Sequence, residues 1–80
     1  MDMNVKMYGR TQGCKFCDRA KLICEMNGFE LEFIDVEVNG LGAAELAEIC
    51  GTPVRTVPQI FVDEKYIGGC DNFEAFLKGE

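Results

Sequence analysis

The sequence contains no histidine, and its 80 residues hold only eight lysines and arginines against fourteen aspartates and glutamates. A net charge of −6 argues against nucleic acid as a partner. No apolar run approaches the roughly 18 residues a membrane-spanning helix needs, and the first residues, "MDMNVKMYGR", lack the basic-then-apolar order of a signal peptide. No repeat, linker or low-complexity stretch is present. These absences leave one small domain over 1–80, expected in the cytoplasm, without membrane or nucleic-acid contacts. At this length the core must be thin.

Cysteine, by contrast, is plentiful: Cys14, Cys17, Cys24, Cys50 and Cys70. An odd count without a secretory signal does not read as a disulfide framework. In a reducing compartment most of these should be free thiols. Charge is also unevenly spread. Residues 1–21 hold five basic and two acidic residues, net +3, a pattern that arises by chance in short chains or marks an approach path for a small anion.

The elements alternate. "NVKMYG" (4–9) sets Val5 and Met7 against Lys6 and Tyr8 and reads as a strand. Beyond Cys17 a helix is expected, with Phe16, Ala20, Ile23 and Cys24 at helical spacing, widened by Leu22 and Met26, and stopped at Asn27-Gly28. Alternation predicts a second strand over 29–38. "AAELAEIC" (43–50) is rich in helix formers and ends before Gly51. "TVPQIFVD" (56–63) and "EKYIGG" read as a hairpin turning at Asp63-Glu64. "DNFEAFLK" (71–78) reads as a helix with Asp71 as N-cap and Glu74 completing a capping box. The order β-α-β-α-β-β-α gives an α/β fold: a mixed four-stranded sheet with three helices, its first two strands parallel.

"GCKFCDRAK" (13–21) carries the chemistry. Structural zinc needs four ligands, commonly as two close pairs; only one pair exists, so no metal is expected. Cys24 and Cys50 lie on helix faces and read as core filling. Cys14 and Cys17 fall at a strand-to-helix junction, where unpaired N–H groups and the helix dipole stabilise a thiolate. Cys14 near the N-cap is then the exposed nucleophile, and Cys17, in the first turn, the shielded partner that closes a disulfide with it. Lys15 either lowers the Cys14 pKa or points to solvent with little effect.

"CKFC" after the first strand, "TVP" opening the third, and "GGCDN" before the last helix together resemble the glutaredoxins along the whole chain. The resemblance implies a thioredoxin-like fold and a glutathione-dependent dithiol–disulfide oxidoreductase acting on protein disulfides and glutathione mixed disulfides. Glutathione would be co-substrate, and disulfide proteins, ribonucleotide reductase among them, the partners of a monomer. It assigns Cys14 as nucleophile and Cys17 as resolving cysteine. Thr56, Val57 and Pro58 would pair with the glutathione cysteinyl group, the proline being cis. Gly69, Cys70, Asp71 and Asn72 would hold the γ-glutamyl end, and Arg10 the glycyl carboxylate, with Gln59 and Arg55 as weaker candidates and Lys15 lining the approach. Tyr8 would flank the groove. Cys70 is either a small buried residue or a site of oxidation.

Lys15 and Phe16 replace the proline and tyrosine of the family's common C-P-Y-C motif, and "GRTQGC" is one residue longer than in common bacterial members. Two other readings remain. One is a donor recycled by thioredoxin reductase, a group that ends with an S-G-F-R-P-type stretch instead of "GGCDN". The other is a glutathione-ligated [2Fe–2S] carrier, which retention of Cys17 disfavours.

Overall fold

The structure, a computed structural model, describes residues 3–79. Its elements follow the expected order: β1 (Asn4–Gly9), α1 (Lys15–Asn27), β2 (Glu30–Asp35), α2 (Ala43–Cys50), β3 (Gln59–Val62), β4 (Lys65–Gly68) and α3 (Cys70–Leu77). The sheet order is β2-β1-β3-β4. β1 is central, parallel to β2 and antiparallel to β3, and β3 forms the hairpin with β4.

Alternation along β1 divides the core. Val5 and Met7 face α1 and α3, in a cluster with Ala20, Cys24, Ile60, Val62, Cys70 and Phe73. Tyr8 faces the opposite side, where α2 contributes Leu46 and Cys50 beside Val36 and Val54. A strand's period of two forces this division, and each face is covered by helix.

Three boundaries differ from expectation. β2 ends at Asp35 rather than 38, because the Asp35 carboxylate accepts the Val38 N–H at 2.9 Å and turns the chain. β3 starts at Gln59 rather than 56, since Pro58 has no N–H to offer a ladder. Helix α3 begins at Cys70 with Gly69 as N-cap. Asp71 is therefore not the cap. The Gly69 N–H instead donates to Asn72 Oδ1 at 3.2 Å, and Glu74 is turned toward Arg19 of α1, whose Nε donates to it at 2.9 Å.

The α1 stripe is also narrower than its sequence suggests. Cys17, Ala20 and Cys24 form the buried face, at i, i+3 and i+7. Phe16, Leu22 and Met26 point away, 58%, 53% and 75% exposed. The helix stops at Gly28, in the left-handed region at φ 69°. At the hairpin, Asp63 and Glu64 both take positive φ, the geometry whose twist suits a two-residue β-turn.

Candidate active site

β1 runs into a short loop and then into α1, so the loop delivers residues 10–14 to one end of the sheet. Cys14 is the N-cap of α1, extended at φ −127°, and its Sγ accepts the Cys17 N–H at 3.2 Å. A sulfur thus takes the place usually held by a serine or aspartate oxygen, satisfying one of the helix's unpaired donors. Cys14 and Cys17 are bonded to each other, Cα–Cα 5.2 Å. The Arg10 N–H points at Cys17 Sγ from 3.5 Å. Cys17 is fully buried, whereas Cys14 keeps 7% of its surface. Of the pair, only Cys14 offers an incoming sulfur a path.

Gly9 explains why the Cys17 sulfur fits. A Cβ built there would stand 2.8 Å from Cys17 Sγ and 3.0 Å from the Phe33 ring. Glycine is needed here for space, at the last residue of β1.

Asp35 fixes the loop from the other side. Its Oδ2 accepts both the Thr11 hydroxyl, at 2.8 Å, and the Thr11 N–H, at 3.3 Å. The Val38 N–H and then the Thr11 hydroxyl hold the Asp35 carboxyl below its ordinary pKa. Asp35 was not singled out in the sequence, where it reads as one more acidic residue in a strand.

The second wall comes from the loop before β3 and the start of α3. The Val57–Pro58 peptide is cis. Cys14 Sγ lies 3.8 Å from the Val57 carbonyl oxygen. A Cβ built on Gly69 would sit 3.7 Å from the Pro58 carbonyl oxygen, so this loop and the start of α3 face each other closely. Between them runs a groove of about 440 Å³ lined by Thr56, Val57, Pro58, Gly69, Cys70, Asp71 and Asn72. These seven residues, read from two separate stretches of sequence, are brought together. Arg10 lines an adjoining cleft that shares Phe16, Arg55, Thr56 and Val57 with the groove. Lys15 is exposed at the start of α1 and lines neither.

Three expectations are corrected. Gln59 lines the groove but is only 4% exposed, and both ends of its amide are engaged, Nε2 with the Thr56 carbonyl and Oε1 with the Tyr66 hydroxyl, which leaves it little to offer a ligand carboxylate. Tyr8 does not flank the groove but is buried under α2, edge-on to Phe61. Phe16, assigned to the core stripe, instead lines both clefts. Its place between the two cysteines was the available signal. The basic segment is also partly committed: Arg19 pairs with Glu74, and Lys21 sits 3.9 Å above the Phe33 ring.

The remaining thiols are buried. Desolvation pushes Cys24 up to about 11. It also raises Cys70, with the Glu74 charge adding to it, and Cys50, against a smaller opposing effect of the Tyr66 hydroxyl. A larger cleft of about 700 Å³ lies elsewhere on the sheet, around Lys6, Glu30, Glu32 and Asp63. None of its lining residues is a cysteine. Among the described residues, no three His, Cys, Asp or Glu side chains come together as a metal site.

A mixed sheet with the connectivity above, carrying a bonded C-x-x-C pair at the first helix and a cis proline facing it, defines a thiol–disulfide oxidoreductase of thioredoxin-like fold. The Glutaredoxin family model matches residues 5–67, and the chain belongs to the glutaredoxin family. It is 46% identical to glutaredoxin 1 of Salmonella typhimurium over 77 residues, covering 90% of this chain and 87% of that one. Identity to a Vibrio cholerae glutaredoxin is 43%, covering 95% and 92%. Among solved structures it resembles reduced Escherichia coli glutaredoxin, with TM-score 0.80, 36% identity and coverage of 96% and 95%. It also resembles a buckwheat glutaredoxin–glutathione complex, with TM-score 0.77, 29% identity and coverage of 94% and 69%.

Proposed function

We propose that the protein uses glutathione as its reductant and that residues 1–80 act as one monomeric domain reducing protein disulfides and glutathione mixed disulfides. One observation carries this reading: the groove beside Cys14 is walled by Thr56–Pro58 on one side and Gly69–Asn72 on the other. The groove suits an extended tripeptide. Backbone at Val57 can pair with its central residue, and the first turn of α3 can meet its γ-glutamyl carboxylate with N–H groups. Asp71 is exposed there and can accept from the glutamyl amine. Arg10, one cleft over, is within the positively charged approach to the glycyl end. Similarity to a buckwheat glutaredoxin solved in complex with glutathione supports the choice of glutathione as ligand.

Reduced Cys14 attacks as the thiolate. On a glutathionylated protein it takes the glutathione sulfur, the protein thiolate leaves and is protonated, and a Cys14–glutathione disulfide remains. A second glutathione thiolate then attacks that glutathione sulfur, releasing glutathione disulfide and regenerating Cys14. On a protein disulfide, Cys14 forms a mixed disulfide with one protein sulfur and expels the other. Cys17 then attacks Cys14, freeing the second protein thiol and forming the Cys14–Cys17 bond. Two glutathiones restore the dithiol. Each step moves one electron pair between sulfurs, so no metal or further cofactor is needed.

Three of the five cysteines are free thiols, which fits a reducing compartment such as the cytoplasm. Ribonucleotide reductase, whose turnover leaves a disulfide, is a candidate recipient. Rates are to be compared in an assay coupled to glutathione and glutathione reductase and in one coupled to thioredoxin reductase. Turnover is expected with the first; turnover only with the second would overturn glutathione dependence.

A further inference from the structure

Gln59 is the one buried polar side chain among the described residues, and the disulfide chemistry above makes no use of it. Its Nε2 donates to the Thr56 carbonyl at 2.7 Å. Its Oε1 accepts from the Tyr66 hydroxyl at 2.6 Å. The direction of both bonds is fixed by chemistry. A carbonyl can only accept, so the amide must present NH2 to Thr56; its oxygen is then left facing Tyr66, and the phenol must donate. Tyr66 packs against the buried cluster that includes Cys50 of α2. Tyr66 also packs on Phe61, ring centroids 5.3 Å apart, which fixes its direction.

The relay therefore starts on β4, passes through the first residue of β3, and ends on the carbonyl of Thr56. That carbonyl belongs to the loop whose next two residues form the groove wall beside Cys14. Elsewhere this loop has little regular structure to hold it, because β3 begins only at Gln59. The Gln59 amide closes residues 56–59 into a ring through its own side chain.

We infer that Gln59, held in register by Tyr66, is a positioning residue that sets the Thr56–Pro58 wall for glutathione, and so governs affinity for glutathione-bearing substrates without touching the reacting sulfurs. The inference rests on the glutathione reading of this groove. Removing the amide frees the wall and weakens recognition of the tripeptide backbone. The N-cap bond of Cys14, accepted from the Cys17 N–H at the start of α1, does not depend on the amide.

The test is steady-state turnover of a glutathionylated peptide by wild type, Gln59→Leu and Tyr66→Phe, beside the rate at which iodoacetamide alkylates Cys14 in the reduced proteins. For Gln59→Leu, KM for the peptide should rise about five- to ten-fold, the effect of losing one buried hydrogen bond, with kcat and the alkylation rate within a factor of two of wild type. Tyr66→Phe keeps the Gln59–Thr56 bond and should raise KM about two- to three-fold. The double variant should be no worse than Gln59→Leu alone, because the two act in series. An unchanged KM in Gln59→Leu would overturn the inference, as would a fall in kcat and alkylation matching the change in KM. If Gln59→Leu does not fold, Tyr66→Phe decides, and an unchanged KM there overturns the inference. Wild type that fails to saturate with the glutathionylated peptide while reducing other disulfides would instead sink the glutathione reading itself.

Discussion

Helix α1 carries a cysteine near each end, and the two live in opposite environments. Cys14 caps its start, where its sulfur accepts a backbone N–H and lies against the Val57 carbonyl beside the groove. Cys24, in the last turn, is 1% exposed between Val5, Ile60 and Phe73. The dipole of one helix favours a thiolate at the first position and opposes it at the second. Desolvation, which pushes Cys24 up to about 11, compounds that difference. The same side chain thus meets conditions that favour a thiolate at one end of the helix and fills the core at the other. Reactivity follows from placement and solvent, and cysteine content alone predicts neither.

The strongest test of that contrast removes one sulfur at a time. Cys14→Ser should lose all glutathione-coupled turnover, while Cys24→Ala should stay within about two-fold of wild type, since a structural buried thiol takes no part in exchange. Cys17→Ser should keep turnover of glutathionylated peptide but lose reduction of protein disulfides. Loss of both activities in Cys17→Ser would reverse the roles of the pair.

Gly9→Ala tests whether the reactive end is as tightly packed as the core end. Its new Cβ would fall 2.8 Å from Cys17 Sγ, and overpacking of this kind costs about 1–3 kcal/mol. Thermal unfolding of the oxidised protein should show the loss. An unchanged midpoint would mean that the Cys17 pocket yields easily. Cys24→Ser makes the corresponding change at the other end: a buried hydroxyl without a built partner should cost about 1–3 kcal/mol.

The smallest effects concern charge. Lys15→Ala should move Cys14 thiolate formation to slightly higher pH, by an amount typical of an exposed ion pair, a few tenths of a unit. Asp35 gives a pH signature instead. Its folded pKa lies below its unfolded one, so it stabilises the fold above the unfolded value and loses that contribution as pH falls through the folded value. In urea unfolding, wild type should exceed Asp35→Ala at neutral pH, and the gap should narrow below about pH 4. A gap that widens with acid would show that the Thr11 clamp is not what the carboxylate supports.

Most of this arrangement was legible in the sequence because it is carried by local periodicity. The alternation of Val5 and Met7 against Lys6 and Tyr8 gave the first strand and its two faces, though not the burial of Tyr8, and Asn27-Gly28 gave the helix stop. The C-x-x-C spacing at a strand–helix junction gave the pair of sulfurs. What was not legible depends on contacts across the fold. Gln59 looked like a polar residue open to a ligand, and only the approach of Tyr66 from β4 turns its amide inward. Asp71 looked like a cap, yet the helix starts on Cys70 and its cap is Gly69, two residues earlier. Phe16 sits at helical spacing with Ala20 and Ile23 but one step off the buried face, and that step of about 100° carries it from core to groove. Asp35 needed the Thr11 loop to be in place before it meant anything.

The central claim is that α1 gives Cys14 and Cys24 different acidity. It is tested most directly by thiolate absorbance at 240 nm against pH, a wavelength set by the thiolate chromophore, in reduced wild type, Cys14→Ser and Cys24→Ala. The component lost with Cys14 should titrate below the free-thiol value of about 8.5, and the component lost with Cys24 should titrate near about 11. Two components with the same midpoint would contradict it.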